Sequence, residues 1–580
     1  FEITAVLDGN NMLPAFEATL TELFKLQYFF VTDEELKRAK RGLESDFVFN
    51  LERVEGQARV LGSFEMMTGD PREEEYLEKI RAVTHEDIKK AAQKYFSEKT
   101  INVGFLMPAD SVFEPGMQEI ETSIARAREA AIHSDSEAML PNSYLSRVHR
   151  FRLENGITLL VREDDTVPTV GIRAVFPGGL REETPLTNGA FSFISDLLPK
   201  GTRRMTAKEL AEAVADMAGG LTGFSGKNTF GIKADFLARF FPDGLVLVRD
   251  VMREPAFDPQ EAEKIRPELL AQLKQQDDSL TSLAFQEFNS QLFGGHPYGL
   301  NSIGSADAIK SFTAAALEGI YFKHARPENL VLAISGDVKA EETKDLVNRL
   351  FGDWQREKSW ENKRIEEEML PPTTLTKEKI KEISRDKEQV HLVIGFLGAT
   401  LKDTDRFGLE VLDTILSGQS GRLFIELRDK QSLAYSLSSF SFFGLDTGAF
   451  GIYVGTSPEK KEQAINSVWH ELKTIREKRV DEEELDRAKN ILISQYELAL
   501  QTHSAQALEL GLNETYGLGQ DFGSRYIQAI EEIDAAKVIE VARKYILPNA
   551  YVMIAVGAAR PDNALKPDAN NIKPSEEPEK

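Results

Sequence analysis

The feature that most narrows the fold of this chain is an internal repeat. Residues 31–40, VTDEELKRAK, recur as VDEEELDRAK at 480–489. Gly62 in VLGSFEMMTGD and Gly511 in ELGLNETYGLGQD fall at the same offset. IKKAAQKYF from Ile88 then matches VIEVARKYI from Val538 after one inserted residue. Both copies close on an apolar strand, INVGFLMPA at 101–109 and YVMIAVGAA at 551–559. A fainter third ending, LEGIYFKHARPENLVLAISGD at 317–337, gives helix, aromatic residue, Pro/Asn turn and apolar strand again. Each unit therefore reads as strands, a helical hairpin, a helix and a last strand. That order predicts an α+β fold of repeated domains, each a mostly antiparallel sheet packed against helices.

The repeat sets the boundaries. FEITAVLDGNNM opens on strand-like alternation with no initiator Met or signal peptide, so residues 1–110 are expected to be the rear part of a domain. Residues 111–145 read as a polar, helix-leaning linker. A complete unit spans 146–355 and starts with two strands around an Asn155-Gly156 turn, a strong hairpin signal. A charged linker at 356–374 leads to a last unit at 375–560. The tail 561–580 holds four prolines and almost no apolar residues, and reads as disordered.

Composition excludes several classes of function. With 70 basic against 94 acidic residues the formal charge is −24, and no basic patch invites nucleic acid. No apolar run reaches the roughly 18 residues of a membrane span. Cysteine is absent, which removes disulfides, thiolate metal sites and cysteine nucleophiles. The eight histidines are His85, His133, His149, His296, His324, His391, His470 and His503, and no two lie within five residues. A zinc hydrolase helix needs paired imidazoles one turn apart, so this chain is expected to bind no catalytic zinc. No G-x-S-x-G elbow is present either.

One helix carries an interruption. In GAFSFISDLLPKGT at 189–202, the apolar positions are Ala190, Phe191, Phe193, Ile194, Leu197 and Leu198. Ser192, Ser195 and Asp196 break that run at relative positions i, i+3 and i+4, which share one helical face. By residue type alone, such a face suits solvent or a loop as well as it suits a site.

HPYG at 296–299, SGRLFIELRDKQSLAYSLSS at 420–439 and GTSPEKKEQAI at 455–465, together with the repeat, resemble the M16 (pitrilysin/insulinase) family of zinc metallopeptidases over residues 1 to about 560. In large members of that family, four homologous domains form two halves around a chamber. The first holds an H-x-x-E-H zinc helix and a later Glu, the third is degenerate, and the fourth supplies an Arg and a Tyr. The resemblance implies that 1–110 is the rear of the second domain, 146–355 the third and 375–560 the fourth.

On that register, fixed by Lys200-Gly201-Thr202, Ser192 and Asp196 stand where the family has zinc-binding histidines, and Ser195 where it has the catalytic Glu. Glu268, in the downstream helix, is offset from the later Glu. Arg428 and Tyr435 match the family's pair with the same separation. Arg supplies a planar, permanently charged fork for a substrate carbonyl, and a Tyr hydroxyl can donate to a developing oxyanion. Without the family, Arg428 has Glu426 and Asp429 nearby as ion-pair partners, and Tyr435 reads as the start of a buried strand. His296 reads as an architectural turn residue.

The resemblance thus implies a non-zinc-binding C-terminal portion of a metalloendopeptidase, inactive alone. Zinc is expected on an N-terminal H-x-x-E-H segment or a partner subunit, and none on this chain. Peptides would bind by strand addition. The alternative is a non-enzymatic scaffold, either of the respiratory-core kind or a peptide-binding chamber. A bacterial periplasmic setting is favoured by the resemblance, and a cytoplasmic one is compatible.

Overall fold

A computed structural model divides the chain into two units, Phe1–Asn142 and Ser143–Lys580. The structure describes residues 148–355 and 374–557, apart from 166–167, 218, 386, 388 and 419, and in the first unit chiefly 12–31, 74–96, 101–104 and 116–133. The strand expected at the start, much of the repeat at 31–40 and 60–70, the charged linker up to 373 and the tail 561–580 lie outside the described residues.

The first unit contributes α1 (Met12–Tyr28), α2 (Glu74–Ala82), α3 (His85–Tyr95) and α4 (Met117–His133). Thr84 and Asp87 close a capping box at the start of α3. Helix α4 falls inside the stretch read as a linker. Its residues Ile120, Ile124, Ala127 and Ala131 recur at helical spacing, and Ala127 and Ala131 bury against Leu20 and Phe24 of α1. The apolar stretch from Ile101 forms no strand over its described residues, 101–104.

The second unit contains the repeat as topology. The Asn155-Gly156 turn, with Gly156 at φ +97°, joins β1 (Val148–Arg152) to β2 (Thr158–Glu163) in an antiparallel hairpin. Then follow β3 (Thr169–Pro177), α5 (Ala190–Leu197), α6 (Ala207–Asp216), β4 (Gly220–Ser225) and β5 (Thr229–Leu237). Helices α7 (Phe241–Arg253), α8 (Pro259–Asp278), α9 (Leu280–Phe293), α10 (Ala306–Ser311) and α11 (Ala314–His324) lead to β6 (Val331–Gly336) and α12 (Ala340–Phe351). The sheet order is β1-β2-β6-β3-β5-β4, and only β2 and β6 run parallel.

The second half repeats the plan. It runs β7 (Lys379–Ser384), β8 (Val390–Gly398), α13 (Asp405–Leu416), a π-helix (Phe424–Lys430), β9 (Ser436–Phe443) and β10 (Gly448–Thr456). It closes with α14 (Lys461–Glu477), α15 (Glu482–Ala499), α16 (His503–Thr515), α17 (Phe522–Glu531), α18 (Ala535–Tyr545) and β11 (Val552–Gly557). Its sheet, β7-β11-β8-β10-β9, has the order of the first without the outer hairpin strand, and again one parallel pair, β7 with β11. No helix among the described residues is long and apolar enough to cross a membrane.

Each half lends a helix to the other. Helix α9 lies on the second sheet, where Phe288, Leu292 and Phe293 bury with Val393, Val552 and Ile554. Helix α16 lies on the first sheet, where Leu510 buries with Leu160, Val331 and Ala333. The two contacts match in register and differ in who supplies the bulk. Phe288, the ninth residue of α9, meets Gly395, the partner of the first residue of β11. Gly511, the ninth residue of α16, meets Val175, the partner of the first residue of β6. A Cβ on Gly395 would stand 2.6 Å from the Phe288 ring, and one on Gly511 2.9 Å from Val175.

Gly395→Ala is therefore expected to overpack the α9 contact and cost about 1–3 kcal/mol in chemical denaturation. Adding Phe288→Leu to the same chain should recover part of that loss. Strictly additive losses in the double variant would show that the two residues do not press on each other.

Candidate functional site

The interrupted helix is built from a buried carboxylate outward. Glu183 accepts hydrogen bonds from the Gly189 N–H at 2.8 Å, the Phe191 N–H at 3.0 Å and Asn188 Nδ2 at 2.9 Å. It thus satisfies backbone donors that the first turn of α5 leaves open. Burial raises its pKa in spite of those bonds. Gly189, with φ +97°, begins the helix, and a Cβ there would stand 2.7 Å from the Gly304 Cα. All six apolar positions anticipated for this stretch are buried. Helix α5 lies so close to β4 that a Cβ on Gly223 would fall 1.9 Å from the Ser195 carbonyl oxygen.

The interrupting face holds little that binds a metal. The Ser195 hydroxyl donates to the Ser192 carbonyl at 2.8 Å, a bond within the helix. Partial burial raises the Asp196 pKa, Lys200 opposes the rise and Glu268 adds to it. Glu268, offset by sequence register, is therefore close enough to α5 for its charge to act on Asp196. Zinc requires thiolate, imidazole or carboxylate donors, usually three or four. Two hydroxyls, one of them bonded to backbone, and a carboxylate facing a like charge do not fit it. Among the described residues no group of three or more metal-binding side chains occurs. The ring of half-buried His324 meets Phe191 edge-on at 5.2 Å, and desolvation pushes its pKa down to about 4.

Arg428 and Tyr435 bracket a different piece of backbone. The π-helix carries Arg428, whose guanidinium lies over the Phe424 ring at 4.7 Å. The ion pair that the sequence offers with Glu426 does not form. Glu426 accepts instead from Lys430 and from Gln431, each at 2.9 Å. Tyr435 is 62% exposed, so the buried-strand reading does not hold for its side chain. Its N–H donates to the Gly455 carbonyl at 2.9 Å, one residue before β9.

Both constellations adjoin an outermost strand, and the two edges differ. The sheet order ends at β4, and no strand pairs with its outer edge among the described residues. The edge of β9 is clasped: Ser439 N–H donates to the Ser417 hydroxyl at 2.7 Å, and the Ser439 hydroxyl donates to Asp413. Burial pushes the Asp413 carboxyl up to about 6.

A third cluster joins the halves, and sequence spacing gives no sign of it. Arg181 Nε donates to Asp446 Oδ2 at 2.6 Å and its Nη2 to Oδ1 at 3.0 Å, a fork-on-carboxylate geometry. His296 Nδ1 accepts from the Tyr298 N–H at 3.1 Å, which leaves its protonated Nε2 facing Asp446 at 3.3 Å. The buried Tyr298 hydroxyl donates to Asn228 and accepts from the Leu445 N–H at 3.1 Å. HPYG thus ties the first half to the β9–β10 turn, in keeping with an architectural role for His296. Residues so far apart in the chain carry no shared local pattern.

Known proteins share this architecture. The family model described as insulinase (peptidase family M16) matches residues 158–305, and the one described as peptidase M16 inactive domain matches 311–492. An uncharacterized zinc protease of Rickettsia bellii is 27% identical over 402 residues, covering 69% of this chain and 95% of the relative. A probable mitochondrial-processing peptidase subunit beta of Arabidopsis thaliana is 24% identical over 415 residues, 70% of this chain and 77% of that protein. A crystal structure of a peptidase M16 inactive domain from Pseudomonas fluorescens shares the fold with a TM-score of 0.65 and 21% identity, over 73% of this chain and 99% of that one. A protease from Helicobacter pylori gives a TM-score of 0.65 at 19% identity, over 71% and 100%.

A pH dependence follows from His324. Its pKa is lower folded than unfolded, so the folded state favours the neutral ring. Stability is complete above about pH 6.5 and falls as pH drops toward 4. The expected outcome is a denaturation midpoint that declines between pH 7 and 4.5 in the wild type, and declines less in His324→Leu. Equal slopes would show that this ring does not titrate out of the fold.

Proposed function

Because this chain belongs to peptidase family M16, we propose that it is a zinc-protease-like protein whose Ser143–Lys580 unit forms a non-zinc wall of a peptide-hydrolysing chamber. The observation that carries this reading is the contrast between the two constellations. The α5 helix keeps its anchor and its packing with no imidazole on its interrupted face. Arg428 meanwhile has its charge over a ring and makes no ion pair among the described residues, and the Tyr435 side chain is exposed.

In this reading Arg428 holds a substrate carbonyl and Tyr435 donates to the oxygen that gains charge as the peptide bond is attacked. Peptide binds by adding a strand to the open edge of β4, where main-chain hydrogen bonds give affinity with loose sequence preference. The clasp at Ser439 leaves β9 unsuited to the same use. The zinc, the general base and the attacking water come from a half bearing H-x-x-E-H, on the same polypeptide or a separate subunit. A bacterial periplasmic or cytoplasmic setting accords with this role.

The test is hydrolysis of an internally quenched peptide, with and without an H-x-x-E-H half. The chain alone is expected to show no chelator-sensitive cleavage, and the combination to show it. In the combination, Arg428→Ala and Tyr435→Phe should each lower kcat/KM by roughly 10²-fold, the scale of losing one oxyanion donor. Unchanged turnover in both variants would sink the assignment. Peptide affinity without hydrolysis in the combination would instead favour a peptide-binding scaffold.

A further inference from the structure

The backbone between Arg428 and Tyr435 departs twice from ordinary geometry. Residues Phe424–Lys430 wind as a π-helix, a rare form that concentrates at functional sites. Ser432 then takes φ +52°, left-handed for a residue with a side chain. Such conformations persist only where the surroundings impose them, and they collect where a site must be held in one shape.

The surroundings here are specific. Lys460 Nζ donates to the Ser432 carbonyl at 2.7 Å, and the Ser432 N–H donates to the Arg428 carbonyl at 3.0 Å. The Leu433 N–H donates to the Leu427 carbonyl at 2.7 Å, and Thr456 Oγ1 donates to the Leu433 carbonyl at 2.5 Å. The turn is thus tied both to the π-helix and to the far end of β10. The Phe424 ring under Arg428 supplies the other restraint. A ring face attracts the guanidinium without neutralising it, so its planar N–H donors stay available. A carboxylate in that place would occupy them.

We infer that Phe424 and Ser432 are positioning residues, the ring setting the Arg428 guanidinium and the left-handed turn setting Tyr435, so that both donors address one peptide carbonyl. This rests on the peptide-hydrolysis reading above. It adds two residues whose side chains need not touch substrate.

The experiment uses the chain with its H-x-x-E-H half. Phe424→Leu is expected to lower kcat about tenfold, the scale of losing one cation–π contact in a partly desolvated site, with KM within twofold. Phe424→Tyr, which keeps the ring, should restore most of kcat. Combined with Arg428→Ala, Phe424→Leu should cost nothing further, because the residue it positions is gone. Ser432→Val should lower kcat similarly, and Ser432→Gly, which accepts the same φ, should not.

If Phe424→Leu fails to fold, Phe424→Met removes the ring at similar bulk. On the chain alone, the Arg428 Nε–Hε NMR signal should sit upfield under the ring current and lose that shift in either ring-free variant. If Arg428→Ala and Tyr435→Phe both leave turnover unchanged, the hydrolysis reading falls. If Arg428→Ala lowers turnover and Phe424→Leu does not, or the wild-type signal carries no ring shift, the positioning role is overturned.

Discussion

The bidentate pair between Arg181 and Asp446 is the constraint to which the rest of the second unit refers. Arg181 stands two residues before Glu183, the carboxylate that holds the start of α5. Asp446 stands in the turn between β9 and β10, the hairpin that Tyr435 leads into. Both charged ends are almost fully out of water, Arg181 at 4% exposure and Asp446 at 0%. A buried pair of this kind adds little net stability over a well-packed apolar substitute, yet removing one partner leaves the other charge buried without its bidentate match. Its contribution is to geometry. It places the interrupted helix of one half and the Arg/Tyr segment of the other in one frame, with His296 as a second donor to the same carboxylate.

Much of this was legible locally. The Asn155-Gly156 hairpin, the helix at α5 and the apolar last strands follow from turn chemistry and side-chain period. The interruption at Ser192, Ser195 and Asp196 was legible because Lys200-Gly201-Thr202 supplied a register. Glu268 shows what register leaves out, since a count along a helix does not include how near its charge comes to Asp196 on a neighbouring helix. The Arg181–Asp446 pair was beyond reach, as nothing links residues separated by 265 positions except the fold. The stretch at 111–145 reads as polar and helix-leaning, and α4 lies within it; its small apolar residues at helical spacing look polar on average because charged ones lie between them.

The two halves also show why their likeness is faint as text. The sheets agree in order, direction and pairing, while the residues that meet at matched positions are exchanged in size. Phe288 faces a glycine and Gly511 faces a valine. A comparison of side chains position by position finds dissimilarity where the packing preserves total volume. The same logic applies to α5: its anchor, its glycine neighbour on β4 and its buried face are what the fold needs, and the interrupted face is free to change without disturbing them.

That exchange of bulk has a consequence for assembly. Two related sheets and two related helices in one chain offer four possible contacts, and only two of them fit. Phe288 against Val175 would press a ring into a branched side chain, and Gly511 against Gly395 would leave a void the size of a phenyl group. Each helix is therefore keyed to the opposite sheet. A chain with a recurring plan gains from this a defence against folding onto the wrong copy of itself.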